Sequence, residues 1–172
     1  TYFVLAHFHY TFFPIAIIGT FAGLSFWFPK MFGRMMNDTL GKIHFWGTII
    51  PFNCIFIPLF VLGAAGEHRR IFDYSMFAEL ARPELRHLDQ FATVSLLIML
   101  SFQVVFFYNL ITSLLWGPKA EKNPWRSNTL EWSADSPPPH GNWPKLPTVY
   151  RGPYEYSTPG RDQDYRPQNA PN

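Results

Sequence analysis

The sequence predicts an all-α membrane protein: three transmembrane helices of a larger helical bundle, followed by a proline-rich extended tail. Residues 1–29, 43–66 and 90–118 contain no Asp, Glu, Lys or Arg, and a helix needs about 20 such residues to cross a bilayer core. A spanning strand needs only about 9 to 11, so runs this long are helical. The composition then changes, since residues 117–172 hold 11 of the 16 prolines and 7 of the 14 Lys and Arg, a mixture no span tolerates. The chain therefore divides into 1–116, a three-helix segment with helices at about 2–28, 43–66 and 91–116, and 117–172, a Pro/Trp-rich extramembrane tail.

Composition also removes some classes of function. A formal charge of +2 with no basic cluster gives no footprint for nucleic acid. Cys54 is the single cysteine, so there is no disulfide framework and the redox compartment is not legible from cysteines. The chain opens on Thr1, without a basic n-region, directly at a hydrophobic run. That is no signal peptide, and the abrupt start suggests a piece of a longer protein, cut, processed or encoded separately.

The first helix carries His7 and His9 with Phe8 between them. Polar side chains in hydrocarbon are costly and are normally there for a functional reason, although a membrane histidine can also simply bond to a neighbouring helix. At about 100° per residue, positions i and i+2 point roughly 200° apart and differ by about 3 Å along the axis. The two rings therefore cannot close on one ion; they serve two separate sites at nearly the same depth, or none. Pro14 should bend this helix by removing a backbone hydrogen bond. Gly19 and Gly23 form a small-xxx-small pair that would admit another helix closely, or are glycines of the kind common in membrane helices. Trp27 and Lys30 mark the interface.

The second helix is interrupted by Pro51 and Pro58, and places His44 and Trp46 in its first turn, where both are expected at the interface rather than on a metal. Asn53 and Cys54 at mid-membrane suit interhelical packing. The next loop begins Glu67-His68-Arg69-Arg70. One crossing and its return bring Arg69 and Arg70 to the membrane face from which the first helix started. Paired guanidinium groups there can bind carboxylates by bidentate hydrogen bonds or reach lipid phosphates. In the third helix, Gln103 and Asn109 should face protein rather than lipid.

The tail shows no helical or strand period, and its proline density predicts extended chain. Trp125, Trp132 and Trp143 are poor formers of disorder, so the part up to about Leu146 is expected to be ordered against a partner surface, and residues 151–172 to be loose. Basic residues are spread almost evenly over both sides, so the positive-inside count hardly discriminates. With Arg69 and Arg70 set aside as ligands, the first loop and the tail become the cytoplasmic or matrix side.

Several separate motifs then occur in one order: Thr1-Tyr2-Phe3-Val4-Leu5-Ala6-His7-Phe8-His9-Tyr10, Lys42-Ile43-His44-Phe45-Trp46, Leu62-Gly63, Arg69-Arg70 with Asp73-Tyr74, Asn123-Pro124-Trp125, Thr129-Leu130-Glu131-Trp132, and Ser136-Pro137-Pro138-Pro139. Together they resemble the last three transmembrane helices and tail of subunit I of the haem-copper oxidases, the terminal oxidases of cytochrome c oxidase type. The resemblance covers nearly the whole chain. It implies that His7 is the iron ligand of a high-spin haem where oxygen is reduced, that His9 is an axial ligand of the low-spin haem feeding it electrons, that Arg69 and Arg70 bind haem propionates, and that Phe8 packs between the cofactors.

It further implies two haems, a-type by analogy, with the active-site copper held by residues outside this chain. The implied partners are the remainder of subunit I, subunits II and III, and cytochrome c, in a bacterial plasma membrane or mitochondrial inner membrane. Proton pumping belongs to the same expectation, and the chain alone is expected to be inactive. A quinol oxidase of the same superfamily, or a non-catalytic anchor derived from the oxidase, are the alternatives. Many family members have Met-Pro where this chain has Glu67-His68, a Gly at Pro51 and a Ser at Phe13, and Glu67 is expected to compete with propionates for an arginine.

Overall fold

In the computed structural model, which describes residues 1–73, 83–155, 159–160 and 162–171, three helices are long and apolar enough to cross a membrane. Among the described residues there is no strand, only an isolated bridge between Arg34 and Lys119. Helix α1 spans Tyr2–Phe32, α2 Asp38–Ala64, and α3 Arg86–Trp116, preceded by a short 3-10 turn at Pro83–Leu85. Each overruns the predicted span at one end, α1 to Phe32, α2 from Asp38 and α3 from Arg86, while α2 stops at Ala64, short of the predicted 66. Lys30, Asp38, Arg86 and Asp89 lie inside the helices because side chains in end turns can reach water or a capping partner.

α1 is α-helical over Tyr2–Phe13 and Gly19–Phe32, with one π-helical turn at Pro14–Ile18 between them. Pro14 has no N–H to give. The ladder resumes from the Gly19 N–H to the Pro14 carbonyl, so the missing bond is absorbed as a wide turn.

The residues gather into two compact units. The first comprises residues 1–23 and 37–111, with a core of Ala6 from α1, Phe52, Ile55, Phe56, Leu59 and Leu62 from α2, and Met99 from α3. Half of the most apolar window of α2 is buried, against 6% of that of α1, so α2 is the helix around which this unit packs. Two glycines of α2 make the packing possible. A Cβ on Gly63 would stand 1.9 Å from the Phe3 nitrogen, and one on Gly47 would overlap the Phe102 ring. Gly19, by contrast, has the Pro14 carbonyl of its own helix at 3.6 Å, and among the described residues the close approach of α1 to α2 is made at Gly63.

Polar side chains join the start of α2 to α3. Asn37 caps α2 by accepting the Leu40 N–H at 3.0 Å, while the buried Asn109 accepts the Asn37 N–H and donates to the Asn37 carbonyl at 2.9 Å. This satisfies orphan groups of a helix start from within the bundle.

The second unit is residues 24–36 and 112–172, in which the tail folds on the last turns of α1. Lys30, 7% exposed, donates to the carbonyls of Ala134, Lys122 and Asp135 and lies over the Trp132 ring. Trp125 stacks on Phe26 and donates to its carbonyl. Trp143 donates to Ser133. The surface that orders this tail therefore belongs to the chain itself. Nor are the described residues beyond 150 loose, since Arg151 is buried and bonds to Pro167, and Gln168 is held by Asn128, Leu130 and Tyr150.

Replacing Gly63 with Ala should force α1 and α2 apart and destabilise the bundle by about 3 kcal/mol, the upper end of overpacking effects. Gly41→Ala, where a Cβ meets nothing within 4 Å, should instead stabilise by up to about 1 kcal/mol. Denaturation midpoints of the two variants in one detergent check both.

Candidate functional site

The upper end of the first unit is set by two backbone contacts. Gly66, at φ +101°, turns the chain at the end of α2, and Glu67 N–H returns to the Leu62 carbonyl at 3.1 Å. The Glu67 carbonyl then accepts the Tyr2 N–H at 3.0 Å, supplying a partner to a helix start that has no side-chain cap. The segment leading to Arg69 and Arg70 therefore leaves from the first turn of α1, five residues before His7.

On α1 the two histidines differ in surroundings. His9 is half-buried, stacked on Phe56 of α2 with ring centroids 4.7 Å apart. Its Nδ1 lies 2.8 Å from the Leu5 carbonyl. A carbonyl can only accept, so Nδ1 carries the hydrogen, and in the neutral ring Nε2 keeps the lone pair. That fixed tautomer is what a metal-binding imidazole requires. His7 is exposed, and among the described residues its ring makes no hydrogen bond. Phe8 is exposed too, edge-on to His9 and stacked on Phe12. Two rings of different environment on one helix are suited to two separate roles rather than to one shared ion. Among the described residues no three His, Cys, Asp or Glu side chains gather as a ligand set for a free ion.

Tyr10, one residue on, donates to Asn53 at 2.7 Å, and Asn53 donates to the Ile49 carbonyl. This is the packing role expected of Asn53.

Arg69 and Arg70 are both exposed, and among the described residues neither forms an ion pair. Arg70 has φ +63°, a left-handed backbone uncommon for a side chain of its size. Tyr74, the end of the motif that follows, lies outside the described residues. Glu67 does not compete for the arginines. It has no exposed surface, and the group it meets is the Asp89 carboxyl of α3; burial first, then that neighbour, pushes its pKa up to about 7. A carboxyl held this way is a poor partner for a guanidinium. Sequence reasoning missed the pairing because Asp89 is 22 positions away and nothing in the spacing announces it.

His44 is not in interfacial water, as expected from its place near a helix end, but buried in the bundle. Its Nε2 donates to Gln103 at 3.1 Å, Gln103 donates to Thr48 and to the Met99 carbonyl, and the ring contacts Phe21 and Phe106. Because α3 presents an amide at that depth, the imidazole can be buried without loss.

Residues 1–101 match the family described as Cytochrome C and Quinol oxidase polypeptide I. Among relatives, the alternative cytochrome c oxidase subunit 1 of Bradyrhizobium diazoefficiens is 45% identical over 99% of this chain and 29% of its own length. The cytochrome c oxidase subunits 1 of Synechocystis and Thermostichus vulcanus are 40% and 38% identical, over 91% and 95% of the chain and 27% and 28% of theirs. The chain thus spans less than a third of the length of these relatives.

Gln103→Leu should destabilise the bundle by about 1–3 kcal/mol, because it strands the His44 donor in an apolar interior. Adding His44→Phe should recover part of the loss; thermal melts of the single and double variants decide it.

Proposed function

This chain belongs to the Cytochrome C and Quinol oxidase polypeptide I family, and from that premise we propose that it is part of the catalytic subunit of a proton-pumping respiratory terminal oxidase that takes electrons from cytochrome c and reduces oxygen to water. The observation that supports this most directly is the pair of imidazoles on α1, one with its tautomer fixed by Leu5 and stacked on α2, the other exposed and, among the described residues, without a ring hydrogen bond.

In this reading His7 holds the iron of a high-spin haem and His9 that of a low-spin haem, both a-type. When bound, the haems supply the electron path and, with a copper held by residues outside this chain, the site of oxygen reduction. The chain's own task is to hold and orient. The Leu5 carbonyl fixes the His9 ring plane and raises the basicity of Nε2, and Phe56 limits its rotation. Phe8 keeps water and polar groups from the space between the two ligands. Arg69 and Arg70 neutralise haem propionates, a role for which bidentate guanidinium groups are suited and for which neither is held in an ion pair among the described residues. The full subunit, together with subunits II and III in a bacterial plasma or mitochondrial inner membrane, completes the site, with the tail on the cytoplasmic or matrix side. Cytochrome c rather than quinol is favoured as donor because the three relatives above are named as cytochrome c oxidase subunits.

In the assembled complex, His7→Ala should remove the carbon monoxide-reactive haem signal and His9→Ala the low-spin signal, each with oxygen consumption falling to background. Indistinguishable optical spectra from the two variants would reject the two-site assignment. Arg70→Gln should lower the haem reduction potentials, since a positive charge near the propionates favours the reduced iron; unchanged redox titrations remove that role. Steady-state turnover with reduced cytochrome c, compared with quinol, decides the donor.

A further inference from the structure

Glu67 is an ionisable side chain with no surface at all. Its residue is 0% exposed, and among the described residues neither carboxylate oxygen meets a hydrogen-bond donor. The contact it does make is with another acceptor, the Asp89 carboxyl in the first turn of α3. Two carboxyl groups hydrogen-bond only if one carries a proton, and two carboxylates sharing a site cannot both ionise freely.

We propose that Glu67 and Asp89 form a proton-binding site, a pair of carboxyl groups holding one proton between them where α2 ends, α3 begins and the chain turns toward Arg69 and Arg70. Asp89 is only half-buried, so it is the member through which the proton reaches water. Loading proceeds by transfer of one proton from solvent to the dianionic pair, giving Glu67–COOH hydrogen-bonded to Asp89–COO⁻; unloading returns that proton to solvent and adds one negative charge two residues from Arg69.

From α1 the neighbour is Tyr2, which presents its backbone N–H to the Glu67 carbonyl. His68, Arg69, Arg70 and Asp73 on the same segment, and Glu84, Arg86 and His87 at the start of α3, are all exposed; among the described residues, Asp89 is the charged group that acts on Glu67. Burial and Asp89 both raise the Glu67 pKa, from an ordinary 4.5 to about 7. Between those values the folded state holds more protons than the unfolded one, so this end of the bundle loses stability as pH rises from 4.5 to about 7 and loses no more above it.

The inference rests on the carboxyl pair and not on the haem assignment, which an optical spectrum of the same samples reports separately. Its test is infrared absorption of the complete oxidase complex in the C=O stretching region of protonated carboxylic acids, followed against pH for wild type, Glu67→Gln and Asp89→Asn. The expected wild-type spectrum contains a carboxylic-acid band that is lost as pH rises through about 7 and is absent from Glu67→Gln. In Asp89→Asn the band persists but its midpoint falls, since the like charge opposing ionisation is gone. Superimposable wild-type and Glu67→Gln spectra at every pH overturn the proposal, as does an Asp89→Asn midpoint equal to that of wild type. Should Glu67→Gln fail to assemble, the shift or constancy of the midpoint in Asp89→Asn decides alone.

Discussion

The first unit depends on how closely the start of α1 can lie on the end of α2. Gly63 offers no side chain where the Phe3 backbone passes, and the Glu67 carbonyl takes the Tyr2 N–H a turn later. With a Cβ at 63 the helices would stand apart. Ala6 would leave the core it shares with Leu59 and Leu62, and the His9 ring would lose the Phe56 face. A missing methyl group thus governs helix spacing, ring orientation and the burial of Glu67. Small residues have this importance in membranes because lipid and protein are equally apolar, and contact distance rather than hydrophobicity drives helices together.

The second constraint is how an apolar chain disposes of its polar groups. Three of the buried ones are paired within the protein. His44 meets Gln103, Asn109 closes on both backbone groups of Asn37, and Lys30 is surrounded by three carbonyls and an indole face. Each pairing is made between segments distant in sequence, so each also fixes register, as buried polar groups are apt to do. Glu67 is the exception in kind, since its partner is another acid, and the pair is satisfied only by keeping a proton. Within one turn of chain, the protein therefore sets a carboxyl inclined to be neutral beside guanidinium groups that are always charged. That separation leaves the arginines available to carboxylates from outside this chain.

Much of this was legible in the sequence, because the signals are local. Three charge-free runs sufficed for three spanning helices, since hydrocarbon thickness sets a length and tolerates no charge within it. Helical periodicity sufficed to send His7 and His9 in different directions. What sequence reading mistook were the places where partners lie far apart: His44, assigned to interfacial water, is buried on Gln103, and the stretch 151–172, expected to be loose, is held among its described residues at Arg151 and Gln168. Periodicity describes one helix at a time and says nothing of what the next one brings.

By itself, then, the sequence determined the class of protein and the number of helices long and apolar enough to cross a membrane, because these follow from transfer free energies and from the fixed pitch of a helix. Only the tertiary structure decided which glycine admits a neighbour, which tautomer His9 carries and which acid faces Glu67. Those depend on distances between segments tens of residues apart, and such distances exist only once the helices have packed.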